Sequence, residues 1–291
     1  MKIGIDSYCY HRFFGEVYPG LETDPGTRLT ITEVIDKAKR AGARGISIES
    51  FMLTGGSAEL SLLREKLSEA GMDCVMAWGH PKGLGSGLIP EALDDLQAHV
   101  EIANMLGASV TRICAGGRAT RTLSWSEHRS LLVPLLRKAA NFASDRGVVL
   151  AVENHIDMSA DEMLELLSHV DHPSLGVCFD TANNLRMLED PMVVARKLIP
   201  YARAAHVKDI QAYRGSPRDF SFWPSVPLGK GLIDMKEIVR LFDAHGFNGL
   251  LAIETDYLHP DYPDLDAVLG DSVAYLSGLV SDAASARRVC A

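Results

Sequence analysis

Four ionisable side chains stand at or near the ends of four consecutive apolar runs of the sequence. They are three carboxylates and one imidazole: Glu153, Asp180, His206 and Glu254. Carboxylates that face one another repel unless a cation lies between them. An oxygen-rich set with one nitrogen suits Mn²⁺ or Mg²⁺, with Co²⁺ or Zn²⁺ as alternatives, and leaves positions for water or two substrate oxygens. If the fold brings the four together, they predict a divalent metal site.

The alternation of side chains along a strand predicts that all four point to the same side of the sheet. The positions out of phase with them are all apolar, as a surface covered by helices requires. These positions are Val152, Val177, Phe179, Ala205, Val207, Leu251 and Ile253. We therefore expect one inward side chain from each of four consecutive strands. For any single residue, the alternative is an ordinary ion pair at the end of the sheet.

These runs belong to a pattern that repeats along the chain: a short apolar strand, a loop, and an amphipathic helix. The predicted strands are Lys2–Asp6, Gly45–Glu49, Asp73–Trp78, Val110–Ala115, Val148–Glu153, Leu175–Asp180, Ala204–Lys208 and Leu250–Glu254. The predicted helices are Thr32–Arg40, Ala58–Ala70, Pro90–Leu106, Ser126–Arg146, Ala160–His169, Pro191–Ile199, Met235–His245 and Leu265–Ala283. The pattern therefore alternates strands and helices throughout.

This alternation predicts an α/β fold, a single (β/α)8 barrel that occupies residues 1–291 as one domain. A doubly wound open sheet is the alternative, but no glycine-rich phosphate loop follows the first strand. Active sites of such barrels lie where the strands end, at the carboxyl-terminal face. The four ionisable residues would meet there.

The composition excludes several classes of protein. The chain is 47% hydrophobic and 23% charged, which is ordinary for a globular protein, and its net charge of −9 gives no basic field for nucleic acid. No apolar run approaches the roughly 18 to 20 residues that span a membrane. Asp6 interrupts the first apolar run too early for a signal peptide, and the five cysteines form no CxxC motif. We expect a cytoplasmic protein.

Two connections are longer than the rest, from Ser7 to about Leu29 and from Asp209 to about Leu232. Both follow predicted strands, so both would rise over the carboxyl-terminal face. They carry the aromatic residues Tyr8, Tyr10, Phe13, Phe14, Tyr213, Phe220, Phe222 and Trp223. Long loops in compact domains often bind ligands or cover them. We predict a lid or pocket wall; loops packed only by their own aromatics are the alternative.

Several motifs resemble those of the xylose-isomerase-like TIM-barrel superfamily, and the resemblance covers nearly the whole chain. The motifs are Glu153-Asn-His155, Phe179-Asp180-Thr181, His206-Val-Lys-Asp209, Leu228-Gly-Lys-Gly231 with Asp234, and Ile253-Glu254. The superfamily includes tagatose 3-epimerase-type isomerases and epimerases, hydroxypyruvate isomerases, inosose dehydratases and 3-dehydroshikimate dehydratases. The resemblance implies one metal ion bound by Glu153, Asp180, His206 and Glu254.

The resemblance also implies catalytic roles for Glu153 and Glu254. In epimerase-type members, the matching glutamates move protons on opposite faces of the substrate. A metal bound to a carbonyl and its neighbouring hydroxyl acidifies the C–H between them and stabilises an enediolate. The second oxygen of a ligating carboxylate can then act as the base.

Arg112 is in phase with Val110 and Cys114, so we expect it to enter the barrel. A buried arginine needs an anion beside it. Arg112 resembles the substrate-binding arginine of the dehydroshikimate dehydratases, which implies substrate contact. A structural partner such as Glu49 is the alternative.

Four more residues are candidates for substrate contact. His155 and Lys208 lie two residues beyond Glu153 and His206, on the same face and nearer solvent, so each could bind substrate or act as an acid. His80 follows the third strand and Tyr8 the first. The alternative for His155 and Lys208 is hydrogen bonding to the metal ligands; for Tyr8 it is a structural role.

The chain departs from the epimerase pattern at two positions. Tagatose-type epimerases carry a substrate-binding histidine three residues after the sixth-strand aspartate, where this chain has Asn183. Their arginine six residues after the seventh-strand histidine is replaced by Ala212, with Arg214 nearby. Together with Arg112 and His155, these departures lean towards members that dehydrate or decarboxylate keto acids or cyclitols.

The leading prediction is a metal-dependent isomerase or epimerase of a small sugar or ketose, phosphorylated or free. The alternative is a lyase, a dehydratase or decarboxylase of a keto-sugar acid or cyclitol. A DNA-repair endonuclease would need a basic surface and a histidine-rich zinc cluster, which ten scattered histidines do not provide. A non-catalytic sugar-binding barrel leaves the metal site unexplained. We expect a small-molecule partner and neither nucleic acid nor membrane; homo-oligomer formation stays open.

Overall fold

Eight parallel strands close into a barrel in the computed structural model, which describes the backbone of residues 1–290 and the side chains of residues 1–286. The barrel strands are β1 (Lys2–Asp6), β2 (Gly45–Glu49), β3 (Asp73–Ala77), β4 (Val110–Ile113), β5 (Val149–Glu153), β6 (Leu175–Asp180), β7 (Ala202–Val207) and β10 (Leu250–Ile253). They pair in the order β1-β10-β7-β6-β5-β4-β3-β2, and β2 pairs with β1. The predicted (β/α)8 barrel is confirmed.

Eight α-helices surround the strands. They are α1 (Ile31–Arg40), α2 (Ser57–Ala70), α3 (Ala92–Leu106), α4 (Trp125–Ser144), α5 (Ala160–Val170), α6 (Pro191–Leu198), α7 (Met235–Ala244) and α8 (Leu265–Cys290). Local sequence defines several helix starts: the Thr30, Ser124 and Ser159 side chains each accept a hydrogen bond from the backbone N–H of a glutamate three residues later. None of the helices within residues 1–290 is long and apolar enough to cross a membrane.

The packing confirms the predicted alternation of strand side chains. On the strands that lead to the four predicted ligands, the out-of-phase residues belong to the large apolar core between barrel and helices. Examples are Val152, Phe179 and Val207. A second apolar cluster fills the barrel interior and consists of Val75, Ala151, Cys178, Ala204, Leu250 and Ala252. Small interior residues leave room above them for larger polar side chains at the strand ends.

The loop after β7 contains a short hairpin that the sequence analysis did not predict, β8 (Asp209–Ile210) paired with β9 (Ser225–Val226). The Asp209 carboxylate organises this region. It accepts hydrogen bonds from the backbone N–H groups of Gly229 and Gly231 at 2.9 Å and of Ile233 at 3.1 Å. The glycine-rich segment therefore binds a carboxylate of the chain itself, and a Cβ atom at Gly231 would lie 2.1 Å from Asp209 Oδ1.

Candidate active site

The four predicted ligands converge at the carboxyl-terminal end of the barrel. Each of Glu153, Asp180, His206 and Glu254 offers one ligand atom, and these atoms all lie within 4.8 Å of one another. Strand register brings them together: Asp180 pairs with His206, which in turn pairs with Ala252, two residues before Glu254. All four side chains are buried. We call this set the four-ligand cluster.

Unsatisfied polar atoms face one another in this cluster. Asp180 Oδ2, His206 Nδ1 and Glu254 Oε2 are buried without a hydrogen bond, although Nδ1 lies 2.9 Å from Oε2 of Glu254. Buried polar groups normally have partners. Three carboxylates and one imidazole nitrogen form a donor set that fits a divalent cation such as Mn²⁺ or Mg²⁺. The residues present therefore fit the metal expected from the sequence.

Neighbouring groups orient each ligand. Asp180 Oδ1 accepts backbone N–H bonds from Ala182 at 2.8 Å and Asn183 at 2.7 Å, which leaves Oδ2 facing the cluster. Asn183 Nδ2 donates to Glu153 Oε1 at 2.9 Å. His206 Nε2 lies 3.2 Å from Asp6 Oδ2. Such outer contacts determine which imidazole nitrogen and which carboxylate oxygen remain available to a metal.

Arg112 enters the barrel as predicted, where its guanidinium lies between two carboxylates. Nη2 donates to Glu49 Oε1 at 2.8 Å, and Nε lies 3.0 Å from Glu153 Oε2. Burial opposes ionisation of Glu153, but the charge of Arg112 and those of other nearby basic groups together outweigh it and hold the pKa of Glu153 at about 2. The structure thus contains the partner, Glu49, that the sequence analysis gave as the alternative to substrate contact.

Lys208 is buried against three carboxylates. Its Nζ lies 3.3 Å from Asp180 Oδ2, 3.3 Å from Glu254 Oε2 and 2.9 Å from Asp256 Oδ2. Burial alone lowers the pKa of an ammonium, but these carboxylates raise the pKa of Lys208 well above its ordinary value. Arg186 Nη2 also donates to Asp256 Oδ2, at 2.8 Å. Lys208 therefore carries its proton beside two of the ligands.

The sequence analysis missed Asp256 and Arg186. Asp256 lies two residues after Glu254, as Lys208 lies two residues after His206, so the same alternation was a signal for it. Arg186 lies in a 3₁₀ helix, Asn183–Met187, where strand alternation does not apply. Only its contact with Asp256 reveals its place in the site.

The remaining candidates lie around the cluster and are half-buried. Nδ1 of His155 is buried without a hydrogen bond. His80 stacks on Trp78 with ring centroids 5.1 Å apart. Burial and then the charge of Asp256 raise the pKa of Tyr8, which places its hydroxyl in the field of the site. Tyr8 and His155 are thus electrostatically close to the charged groups of the site, and the role of His80 stays a prediction.

The two long loops meet above the site. The rings of Tyr18 and Phe220 have centroids 4.5 Å apart, and the Arg186 guanidinium lies 4.6 Å from the Phe220 ring centre. The hydroxyl groups of Tyr8 and Tyr18 are 2.8 Å apart. Trp223 is buried instead in a small cluster with Ala182 and Ile210. Aromatic side chains of both loops thus connect to the charged groups beneath them.

Comparison with known proteins agrees with this architecture. A family model described as "Xylose isomerase-like TIM barrel" matches residues 35–277. The inosose dehydratase of Geobacillus thermodenitrificans (strain NG80-2) is 22% identical over 79% of this chain and 84% of its own. A structure of L-ribulose 3-epimerase has a TM-score of 0.76 at 15% identity, covering 100% of this chain and 98% of that one.

A second similar structure carries a metal ion. It is a xylose isomerase-like TIM barrel protein from Mycobacterium smegmatis in complex with magnesium, with a TM-score of 0.72 at 16% identity. It covers 97% of this chain and 97% of its own. The family model covers most of the chain, and the barrel is the fold that its description names. This chain belongs to the xylose isomerase-like TIM barrel family.

Proposed function

We propose that this protein is a metal-dependent lyase that removes water from a small polyhydroxylated ketone. The observation that carries the proposal is the 3.3 Å distance between Lys208 Nζ and Glu254 Oε2. A carboxylate and a protonated amine beside the same four-ligand cluster form a base and an acid at one place.

Glu153, Asp180, His206 and Glu254 would hold the metal ion. When bound, a divalent cation there supplies Lewis acidity, which makes the C–H group next to a carbonyl easier to deprotonate. The buried cluster also excludes bulk water, which strengthens electrostatic interactions within it.

Glu254 is the better placed base of the two glutamates. Each oxygen of Glu153 contacts a protein N–H group, Oε1 that of Asn183 at 2.9 Å and Oε2 that of Arg112 at 3.0 Å, which lowers its basicity but leaves lone pairs for a metal. Burial raises the pKa of Glu254, whereas the pKa of Glu153 is about 2. A carboxylate with a higher pKa accepts a proton more readily. We assign proton abstraction to Glu254 and metal binding, with orientation by Arg112, to Glu153.

Lys208 supplies the acid. Glu254 takes the proton from the carbon beside the carbonyl group, and the hydroxyl on the following carbon leaves as water with a proton from Lys208. A carbon–carbon double bond forms between the two carbons. The proton on Glu254 can then return to Lys208 across 3.3 Å, which restores both groups. Substrate hydroxyl groups would contact His155, His80 and Tyr8.

The curated relatives support this reaction class. The similar protein of Geobacillus thermodenitrificans and that of Clostridium beijerinckii, 22% identical over 80% of this chain, are both named inosose dehydratase. The names describe those proteins, and they make a dehydration the first reaction to test here.

Epimerisation is the second candidate, and the presence of both glutamates in the four-ligand cluster favours it. An epimerase needs a proton acceptor on one face of the substrate and a donor on the other. Likeness to the L-ribulose 3-epimerase fold is compatible with this reaction. The N–H contacts to both oxygens of Glu153 are the reason for placing epimerisation second.

The test is incubation of the Mn²⁺-loaded protein with ketoses, keto acids and inososes in D₂O, followed by NMR and mass spectrometry. A lyase gives a product lighter by one water molecule. A deuterium-labelled isomer without loss of water would replace the lyase with the epimerase. No product from any compound would overturn both.

Some expectations from the sequence stay predictions. They are a single domain over residues 1–291, a cytoplasmic location, Mn²⁺ or Mg²⁺ as the physiological ion, and the small-molecule partner.

A further inference from the structure

Nine charged side chains form one connected network around the candidate active site. Six are carboxylates and three are cations: Asp6, Glu49, Glu153, Asp180, Glu254, Asp256, Arg112, Arg186 and Lys208. His206 joins Asp6 to the rest, with Nε2 towards Asp6 and Nδ1 towards Glu254. The charge of this network decides which substrates can enter it.

Carboxylates already occupy the cations of this network. Arg112 lies between Glu49 and Glu153, at 2.8 and 3.0 Å. Lys208 Nζ contacts three carboxylates within 3.3 Å. An anionic group could reach either cation only by lying beside those carboxylates or by breaking a buried ion pair, and both are unfavourable.

Arg186 is also paired with a carboxylate, although its Nε is buried without a hydrogen bond. Its Nη2 donates to Asp256 at 2.8 Å, Nη1 lies 3.5 Å from Asn183 Oδ1, and its flat face covers Phe220. It thus neutralises Asp256 and supports the loop above. Other cations of the long loops, such as Arg214 and Arg218, are exposed, where water and salt screen their charge.

The sum of charges in the network is negative. Six carboxylates and three cations give a formal charge of −3, which a divalent metal ion reduces to −1. Burial raises the pKa of Glu49 to about 8, so Glu49 can also be protonated at neutral pH. Protonation of Glu49 would make the metal-loaded network neutral. In neither case do the side chains of the network offer an unpaired positive charge to a phosphate or carboxylate group.

The other candidate groups for substrate contact carry no fixed charge. His155 has a buried nitrogen without a hydrogen bond, and the Tyr8 hydroxyl and His80 imidazole lie in half-buried side chains. Such groups exchange hydrogen bonds with hydroxyl and carbonyl oxygens. We propose that the site accepts uncharged polyhydroxylated carbonyl compounds, free ketoses or keto-cyclitols, and rejects sugar phosphates and keto-sugar acids. This inference rests on the proposed function, because it takes the four-ligand cluster as the place of reaction.

The test is direct binding of matched pairs to the Mn²⁺-loaded protein by isothermal titration calorimetry. The pairs are two ketoses with their phosphates, D-fructose with D-fructose 6-phosphate and D-ribulose with D-ribulose 5-phosphate. The neutral member of each pair should bind at least about 100-fold more tightly, since like charges brought together cost several kcal/mol. Equal or tighter binding of the phosphates would overturn the inference, as would failure of both neutral compounds to bind.

Variants that remove one carboxylate test whether the charge of the network causes the rejection of phosphates. Asp256→Asn removes a carboxylate from Lys208 and Arg186. The ratio of the dissociation constant of each phosphate to that of its neutral partner should therefore fall about 10-fold. Above pH 8, where the Glu49 carboxyl is ionised, Glu49→Gln should act similarly through Arg112, and it serves if the first variant does not fold. Asp261→Asn removes one negative charge from an exposed position of the loop that carries Asp256 and should leave this ratio unchanged. An unchanged ratio in both folded buried variants would contradict the proposal.

Binding and turnover separate this inference from the proposed function. Conversion of a sugar phosphate or keto acid with loss of water would overturn the charge argument and leave the lyase reaction intact. Selective binding of neutral compounds without any turnover would leave the charge argument intact and overturn the lyase reaction. The two proposals therefore fail in different experiments.

Discussion

Asp6 Oδ2 lies 3.2 Å from His206 Nε2, on the side of the imidazole opposite the nitrogen that faces Glu153 and Glu254. Asp6 ends β1, whereas His206 is on β7, and β10 lies between the two strands. The carboxylate therefore reaches across the barrel end to orient the ring. Contacts of this kind select the tautomer of a metal-binding histidine and raise its basicity.

The first prediction concerns this contact. Asp6→Asn should weaken Mn²⁺ binding by about 10- to 100-fold, because the amide no longer favours a proton on Nε2 of His206. Calorimetric titration of the metal-free protein with Mn²⁺ measures the change. Asp73→Asn, which loses only an exposed contact with Lys2, is the matched control. Equal metal affinity in the two variants would show that Asp6 does not act through His206.

Metal binding should also stabilise the folded chain. At a Mn²⁺ concentration 100 times the dissociation constant, stability should rise by about 2.7 kcal/mol, because the unfolded chain does not preserve the four-ligand cluster. For a chain of this size, that corresponds to a rise of roughly 5 °C or more in melting temperature. EDTA should reverse the rise. His206→Ala should abolish it, and a full rise in that variant would exclude His206 as a ligand.

The pairing of Lys208 with Glu254 separates proton abstraction from loss of water. Lys208→Met should reduce dehydration by about 10²- to 10⁴-fold, because the leaving hydroxyl loses its acid. Exchange of the substrate C–H with D₂O should persist, since Glu254 remains. NMR in D₂O measures both rates, and Lys236→Met at an exposed position of α7 is the control. If Lys208→Met lost exchange and dehydration to the same extent, the separate roles of Lys208 and Glu254 would be contradicted.

Phe220 connects the two long loops through Tyr18 and Arg186. Phe220→Ala should lower kcat/KM by about 10-fold, because an aromatic pair and a cation–π contact are lost together. Both kcat and KM should change, as expected for a loop that closes over substrate. Tyr201→Ala, an exposed aromatic at the amino-terminal end of β7, is the control. Steady-state kinetics indistinguishable from the control would assign Phe220 to packing alone.

Asp209 should stabilise the fold without touching substrate. Asp209→Ala leaves the backbone N–H groups of Gly229, Gly231 and Ile233 without their acceptor and should lower the free energy of unfolding by about 3 kcal/mol or more. Asp234→Ala removes only the N-terminal cap of α7 and should cost about 1 kcal/mol. Denaturant unfolding measures both. A smaller loss in Asp209→Ala than in Asp234→Ala would contradict this role.

The barrel and the four-ligand cluster were predictable because both depend on local periodicity. Residue types repeat every two positions along a strand, so Glu153 and Glu254 could be assigned to the inner side from Val152 and Ile253 alone. Strand ends were less accurate: β4 ends at Ile113 rather than Ala115, since a strand stops where its neighbours stop pairing. The hairpin of β8 and β9 was missed because each strand has only two residues.

The sequence could not decide the charged partners, although it gave Glu49 as one of two alternatives for Arg112. Arg112 and Glu49 are 63 residues apart, and Arg186 and Asp256 are 70 apart. Whether Arg112 meets Glu49 or a substrate anion depends on how far strands β2 and β5 stand from β4 once the barrel has closed. Local residue patterns determine which side chains point inward. Only barrel closure determines which charges then neutralise one another, because electrostatic pairing depends on distances between elements far apart in the chain.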